Sequence, residues 1–145
     1  MPELKASRTA LGTAYLRAVH RLFDAQPRIL DDPVIPLLLG PATLQKIKDP
    51  VNRYQISRFR ELRSHVVLRS RFAEDRLANA VPRGIRQYII LGAGFDTFAL
   101  RQPSWTQELK ILEVDHSGTQ GMKRSMLRTA GLAMPENSAA LAFLR

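Results

Sequence analysis

Two glycines and a distant carboxylate are the residues of this sequence whose types and spacing can hold a small ligand. Gly92 and Gly94 follow directly on the apolar run Gln87–Leu91, and Asp115 ends a second such run, 21 positions after Gly94. Glycines allow a sharp turn close to a ligand, and an acid about 20 residues further on can accept hydrogen bonds from ribose hydroxyls. The spacing predicts a nucleoside-cofactor site. Two simpler interpretations stay open: a tight turn without a ligand, and a carboxylate that lies in a loop or caps the next helix.

The residues around the turn favour S-adenosyl-L-methionine (SAM) over other nucleosides. A dinucleotide site would have a third glycine near position 97, for close packing around a pyrophosphate, but Thr97 stands there. The phosphate-binding pattern Gly-x-x-x-x-Gly-Lys-Ser/Thr does not occur in the sequence. SAM has no phosphate and needs neither feature. With no cysteine and three scattered histidines, the sequence predicts no metal site.

The elements that must position these residues follow from hydrophobic periodicity. Apolar residues recur at the helical period of about 3.6 before Gly84, and short runs rich in β-formers come after it. The pattern predicts helices over 7–24, 33–47 with a break at Gly40-Pro41, 52–80 and 117–130, and strands over 87–91, 109–115 and 139–144. A short helix is predicted from Asp96 to Leu100, with Asp96 as its cap. The order of strand, turn, helix, strand and helix is that of an α/β fold with a parallel sheet.

The charge and hydropathy of the chain bear on its partners. The formal net charge is +9, but the basic residues are spread along the helical stretches, as on solvated helix faces, and form no dense block. This distribution argues against a nucleic-acid partner. No apolar run reaches the length of about 20 residues that a membrane span needs, and the first residues lack a signal-peptide core. We therefore expect a cytoplasmic protein without a membrane partner.

Five segments, in this order and spacing, resemble the leucine carboxyl methyltransferase family and its bacterial SAM-dependent O-methyltransferase branch. They are Ser7–Ala10, Arg28–Pro33, Arg69–Asp75, Tyr88–Thr97 and Leu112–His116. The resemblance implies a helical N-terminal cap over residues 1–83 and the first part of a Rossmann-like methyltransferase core over residues 84–145. It also implies that Gly92 and Gly94 pass beneath SAM and that Asp115 holds its ribose.

The resemblance further implies a cation for the methionine part of SAM. Arg71 is expected to pair with the methionine carboxylate, because a planar guanidinium presents two parallel N–H donors. The alternative is a salt bridge between Arg71 and Glu74 or Asp75. Arg8 is expected to help close the site, and Glu113 lies on the same strand face as Asp115. The predicted cofactor-binding set is Arg71, Gly92, Ala93, Gly94, Glu113 and Asp115.

The expected function is methylation of a carboxyl or hydroxyl group on a small molecule or peptide. A carboxylate is ionised at neutral pH and needs no general base, whereas a hydroxyl needs one, and no residue is predicted to be catalytic. Members of the family are about twice as long as this chain, so we expect a truncated form. The alternative is a non-catalytic SAM-binding or interaction fragment. In either form the first strand is expected to have an unpaired apolar edge through which chains can self-associate.

Overall fold

A three-stranded parallel sheet carries the glycine turn. The computed structural model describes residues 7–51 and 57–143 of the chain. Strand β1 (Gln87–Leu91) pairs with β2 (Lys110–His116), and β2 pairs with β3 (Ser138–Phe143), both in parallel. The strand order β1-β2-β3 leaves β1 and β3 at the edges. The predicted α/β fold with a parallel sheet is confirmed, and each strand begins within one residue of its predicted start.

The helices begin where the sequence offers side-chain caps. Within the described residues they are α1 (Arg8–Phe23), α2 (Val34–Lys48), α3 (Ser57–Ala80) and α4 (Ser117–Thr129). The Ser7 hydroxyl accepts a hydrogen bond from the Ala10 amide at 3.3 Å and caps α1. The Asp32 carboxylate accepts from the amides of Val34 and Ile35 and caps α2. Positions 52–56, where the third helix was predicted to begin, lie outside the described residues.

One predicted break and one departure from the predicted helices are visible in the backbone. Helix α2 is kinked at Gly40, whose φ of +78° interrupts the helix at the predicted break. The helix predicted from Asp96 to Leu100 is a single 3-10 turn over Phe98–Leu100. Its cap position is Thr97, which makes no side-chain cap hydrogen bond, so Asp96 is not the cap residue of this turn. The Asp96 carboxylate accepts from the Phe98 amide at 2.8 Å.

The helices pack against one face of the sheet. Leu77 of α3 and Phe98 form a buried cluster with Ile111 of β2, and Tyr88 and Ile90 of β1 pack against it. A second buried cluster joins apolar side chains of α1 and α2 to Phe95 after the turn and Leu127 of α4. The helical and strand-rich parts of the chain therefore share a core.

The opposite face of the sheet is open. Ile89, Leu91 and Leu141 point to it and are 52%, 73% and 54% exposed. The apolar run of β1, which is typical of a buried parallel strand, is therefore exposed on this face. Parallel sheets are normally covered on both faces. Within residues 7–51 and 57–143, no helix covers this face and β1 pairs with no strand besides β2.

Residues 7–51 and 57–143 contain neither a candidate membrane span nor a candidate metal cluster. No helix there is both long and apolar enough to cross a membrane. No group of three or more histidine, aspartate or glutamate side chains there could hold a metal ion.

Candidate cofactor site

The turn after β1 depends on its two glycines. The backbone φ is +64° at Gly92 and +54° at Gly94, a region that strains other residues. The amides of Gly92 and Ala93 donate to the Val114 carbonyl at 2.8 and 3.2 Å, which ties the turn to the end of β2. A Cβ atom on Gly94 would lie 3.2 Å from the Cβ of Ala10 in α1. The turn is thus held between β2 and α1 with little room for a side chain.

Asp115 lies against this turn at the carboxyl end of β2. Its Oδ2 accepts a hydrogen bond from the Gly94 amide at 2.5 Å, and its Oδ1 accepts from the His116 amide at 2.6 Å. A carboxylate has about four lone-pair positions, so both oxygens can still accept from ligand hydroxyls. Asp115 does not cap the next helix, because the His116 side chain accepts the first amide there, that of Gly118.

A cavity of about 480 Å³ opens between the turn, the edge of β1 and helices α1 and α3. This volume lies within the range of known ligand and cofactor pockets. The structure brings together four of the predicted residues, since Gly92, Ala93, Gly94 and Asp115 all line the cavity. The charged residues of its lining are Arg17, Arg69, Glu74, Asp96 and Asp115.

Glu113, predicted with this set, lies outside the cavity lining. Its Oε2 pairs with Lys123 Nζ of α4 at 2.5 Å, and both side chains are almost completely buried. Burial raises the pKa of the Glu113 carboxyl, and the neighbouring Lys123 ammonium opposes that rise. Strand alternation placed Glu113 and Asp115 on the same face correctly, but α4 covers the first of them. The Glu113 carboxylate therefore anchors α4 to β2.

Arg71 also lies outside the cavity lining. Its Nε donates to Asp75 Oδ1 at 2.8 Å on the outer surface of α3, where both side chains are about half exposed. This contact raises the pKa of the Arg71 guanidinium. This is the salt bridge that the sequence offered as the alternative to pairing of Arg71 with the methionine carboxylate. Arg8 is exposed and does not line the cavity either, whereas Arg69, two positions before Arg71, does.

Sequence reasoning missed several lining residues, among them Arg17, Arg69, Glu74 and Tyr88. The lining positions 66, 69, 70 and 73 of α3 follow the three- and four-residue spacing of one helix face. That spacing was an available signal for Arg69. For Arg17 the signal was a charged residue among the apolar positions of α1, where it is only 6% exposed.

Tyr88 places a hydroxyl group in the wall of the cavity. Its ring packs edge to face against Phe98, with ring centroids 5.3 Å apart and an interplanar angle of 84°. Burial, together with the nearby charges of Asp96 and Glu74, raises the pKa of Tyr88 to about 12. The hydroxyl therefore keeps its proton at neutral pH and can donate a hydrogen bond, but it is not poised to act as a base.

Comparison with known proteins assigns this turn, acid and helical segment to one family. The family model described as leucine carboxyl methyltransferase matches residues 10–143. The chain belongs to the leucine carboxyl methyltransferase family. The resemblance seen in the sequence is thereby confirmed, and the parallel sheet preceded by helices is the first part of a Rossmann-like methyltransferase fold.

Individual relatives bear names that agree with this membership. The chain is 32% identical over 155 residues to YktD of Bacillus subtilis, an alignment that covers 93% of this chain and 51% of the relative. It is 36% identical over 129 residues to a protein of Frankia alni, covering 83% of this chain and 42% of the relative. Both are named as S-adenosyl-L-methionine-dependent methyltransferases. The chain spans about half the length of the curated relatives it matches.

Proposed function

We propose that this protein is a SAM-dependent O-methyltransferase that acts on a carboxyl or hydroxyl group of a small molecule or peptide. Family membership and the names of the relatives support this proposal. The observation that carries it is the position of Asp115. Its carboxylate lies against a positive-φ glycine turn, in a cavity at the carboxyl ends of parallel strands, where α/β folds bind nucleosides.

The cofactor contacts that we propose use the four predicted residues of the cavity. Gly92, Ala93 and Gly94 would lie beneath SAM, because all three line the cavity and a Cβ atom on Gly92 would meet only open space. Asp115 would accept from the ribose hydroxyls with the lone pairs that the Gly94 and His116 amides leave open. These residues fit a nucleoside in shape and in hydrogen-bonding capacity.

For the methionine carboxylate we propose Arg69 as the partner instead of Arg71. The Arg69 guanidinium lines the cavity, and no hydrogen-bond or ion-pair partner engages it among the described residues. Arg71 has the same fork of donors but directs its Nε to Asp75 on the surface. A guanidinium without a protein partner at the cavity can form a bidentate pair with a ligand carboxylate.

When bound, SAM supplies an electrophilic methyl group, and the residues of this chain align it and keep water away. Tyr88, with its raised pKa, can donate a hydrogen bond to an anionic group of cofactor or acceptor. An acceptor carboxylate would react without a base. We assign no catalytic residue to this chain.

Two measurements test the proposal. Calorimetric titration of the chain with SAM tests the cofactor site, and the absence of binding would contradict the assignment. Incubation with methyl-labelled SAM and panels of carboxylic acids and alcohols tests transfer, using the chain together with the region that corresponds to the other half of its relatives. Mild alkali releases methanol from a methyl ester but not from a methyl ether, which separates the two acceptor classes.

A second function, SAM binding without turnover, is supported by the open edge of β1 and by the length of the relatives. We expect the 145-residue chain alone to bind SAM, to lack methyl transfer and to self-associate through β1. Ile89→Lys on the open sheet face should reduce the mass seen by light scattering. Leu37→Lys, at a comparably exposed site of α2, is the matched control. A monomeric chain with SAM-dependent methylation would contradict this expectation.

A further inference from the structure

A network of charged side chains lies directly beside the proposed cofactor turn. It connects α1, the start of α2, α3 and the segment that follows the turn. Its members are Arg17, Asp32, Glu74, Asp96, Thr97 and Arg101. None of these residues was predicted from the sequence to hold the cofactor. Arg17, Asp32 and Thr97 are buried and the other three are partly buried, so salt screens their contacts less than contacts on the surface.

Arg17 is the centre of this network. From α1, its NH1 donates to Asp96 Oδ2 at 3.2 Å. Its NH2 donates to Asp32 Oδ2 at 2.8 Å and to Thr97 Oγ1 at 3.2 Å. Asp96 and Thr97 immediately follow the glycine turn, whereas Asp32 caps α2. One guanidinium therefore fastens the segment after the turn to two helices of the N-terminal part.

Asp96 connects the Arg17 contacts to the glycine turn itself. The Asp96 amide donates to the Ala93 carbonyl at 2.8 Å, which closes the turn, and its carboxylate accepts from the Phe98 amide. On the other side, Lys123 Nζ donates to the Asp96 carbonyl at 2.5 Å. Asp96 is thus held at its backbone from α4 and at its side chain from α1.

The charges around Asp96 favour the ionised form of its carboxylate. Burial alone would raise the pKa of Asp96, but the Arg17 guanidinium, the Phe98 amide, Lys123 and Arg101 hold it below its ordinary value. Without Arg17, the carboxylates of Asp96 and the fully buried Asp32 would lose the cation that bonds to both, and Asp32 would keep the longer contact with Arg101 at 3.6 Å. A buried carboxylate that loses a charged partner destabilises the fold. The chain reduces this cost only if the carboxylate moves or takes up a proton.

We propose that Arg17 is a positioning residue for the cofactor site, which holds Asp96 and Thr97 so that the Gly92–Gly94 turn keeps the shape that receives SAM. This inference rests on the proposed function. It makes the N-terminal helical part a support of the cofactor turn as well as a cover over the sheet. The fork of the guanidinium is required, because one side chain must reach three acceptors in different directions.

The test compares variants along α1. Arg17→Met keeps the length of the side chain without its charge, and Arg17→Lys keeps the charge without the fork. Arg21→Met is the matched control, one turn later on the same helix, where only a more exposed pair with Asp31 is lost. We expect Arg17→Met to raise the Kd for SAM by about tenfold or more, as for a lost hydrogen bond to a charged group, and Arg21→Met to leave it unchanged. Arg17→Lys should lie between them.

A double-mutant cycle separates positioning from general stability. Asp96→Asn keeps the shape of the side chain and removes the charge, so Arg17→Met should raise the Kd for SAM by a smaller factor in that background than in the wild type. In the absence of SAM, hydrogen exchange of the Phe98 and Asp96 amides should be faster in Arg17→Met than in Arg21→Met. If Arg17→Met does not fold, the same two readouts on Asp96→Asn decide the question.

Several results would overturn the inference. A folded Arg17→Met variant that binds SAM as the Arg21→Met control does would overturn it, as would independent, additive effects of the Arg17 and Asp96 substitutions. Unchanged exchange of the Phe98 and Asp96 amides would do the same. If the wild-type chain bound no SAM, the proposed function would fail, and the exchange measurement without ligand would still decide whether Arg17 positions the turn.

Discussion

Replacement of Asp115 tests the proposed cofactor site most directly. Asp115→Ala removes both carboxylate oxygens from the end of β2, including the Oδ2 atom that accepts from the Gly94 amide at 2.5 Å. Two effects should follow, because this carboxylate has a role with and without ligand. SAM loses its proposed ribose partner, and the buried Gly94 amide loses its acceptor.

The magnitude of each effect follows from the hydrogen bond that is lost. A hydrogen bond to a charged group contributes about 1.5–3 kcal/mol, and 1.4 kcal/mol corresponds to a factor of about ten in Kd. We therefore expect Asp115→Ala to raise the Kd for SAM by about tenfold to a hundredfold. The unpaired Gly94 amide should also lower the free energy of unfolding of the ligand-free chain by about 1–3 kcal/mol.

Isothermal titration calorimetry with SAM measures the first effect, and urea unfolding without SAM measures the second. Asp75→Ala is the matched control, since it removes an exposed carboxylate from the surface pair with Arg71 and should change neither quantity much. Asp115→Asn should be intermediate in SAM affinity, because it keeps one acceptor oxygen but no charge. A folded Asp115→Ala variant with wild-type affinity for SAM would refute the assignment of Asp115 to the ribose.

Three further predictions concern charged side chains at the site and in the packing of the helices. Arg69→Lys should weaken SAM binding, because an ammonium cannot form the bidentate pair, whereas Arg71→Lys should be nearly neutral; the reverse result in calorimetry would restore Arg71 to the site. Lys123→Met should destabilise the fold by about 3–5 kcal/mol in urea unfolding by leaving Glu113 buried without a cation, and adding Glu113→Gln should recover most of that loss; no recovery would contradict the pairing. Burial would raise the pKa of Asp24, but Arg63 and His20 hold it below its ordinary value. The stabilisation from this carboxylate is therefore present above about pH 4 and is lost as the pH falls through the lowered pKa. The difference in urea midpoint between wild type and Asp24→Asn should therefore be smaller at pH 3 than at pH 6, and an equal difference at both pH values would count against this.

The pH prediction follows from a polar cluster that joins α1 to α3. Arg63 donates from Nε and NH2 to the two carboxylate oxygens of Asp24 at 2.9 and 2.8 Å. His20 Nδ1 lies 2.6 Å from Asp24 Oδ2. These partners stabilise the charged carboxylate, and they outweigh the effect of its partial burial. Protonation of Asp24 at low pH therefore weakens a contact that exists only in the folded chain.

The local features of this protein were readable from its sequence. The glycine turn, the strand ends and the helix caps each depend on a few neighbouring residues, whose backbone preferences are fixed by sterics and by short-range hydrogen bonds. Gly92, Gly94 and Asp115 meet in one cavity because the turn and the acid both lie at the carboxyl ends of adjacent parallel strands. The Ser7 and Asp32 caps are local in the same way, since each side chain accepts from an amide three positions later in the chain.

The identity of the charged residues at the site was decided only by the tertiary structure. Arg69 and Arg71 are two positions apart on α3, and the docking of that helix determines which guanidinium lines the cavity and which meets Asp75. Glu113 shares a strand face with Asp115, but Lys123 of α4 takes its carboxylate into the core. Arg17 gains its acceptors from segments about 15 and 80 positions away along the chain. Such contacts depend on how the helices pack against the sheet. A periodic pattern in one segment of the sequence does not predict where another segment lies.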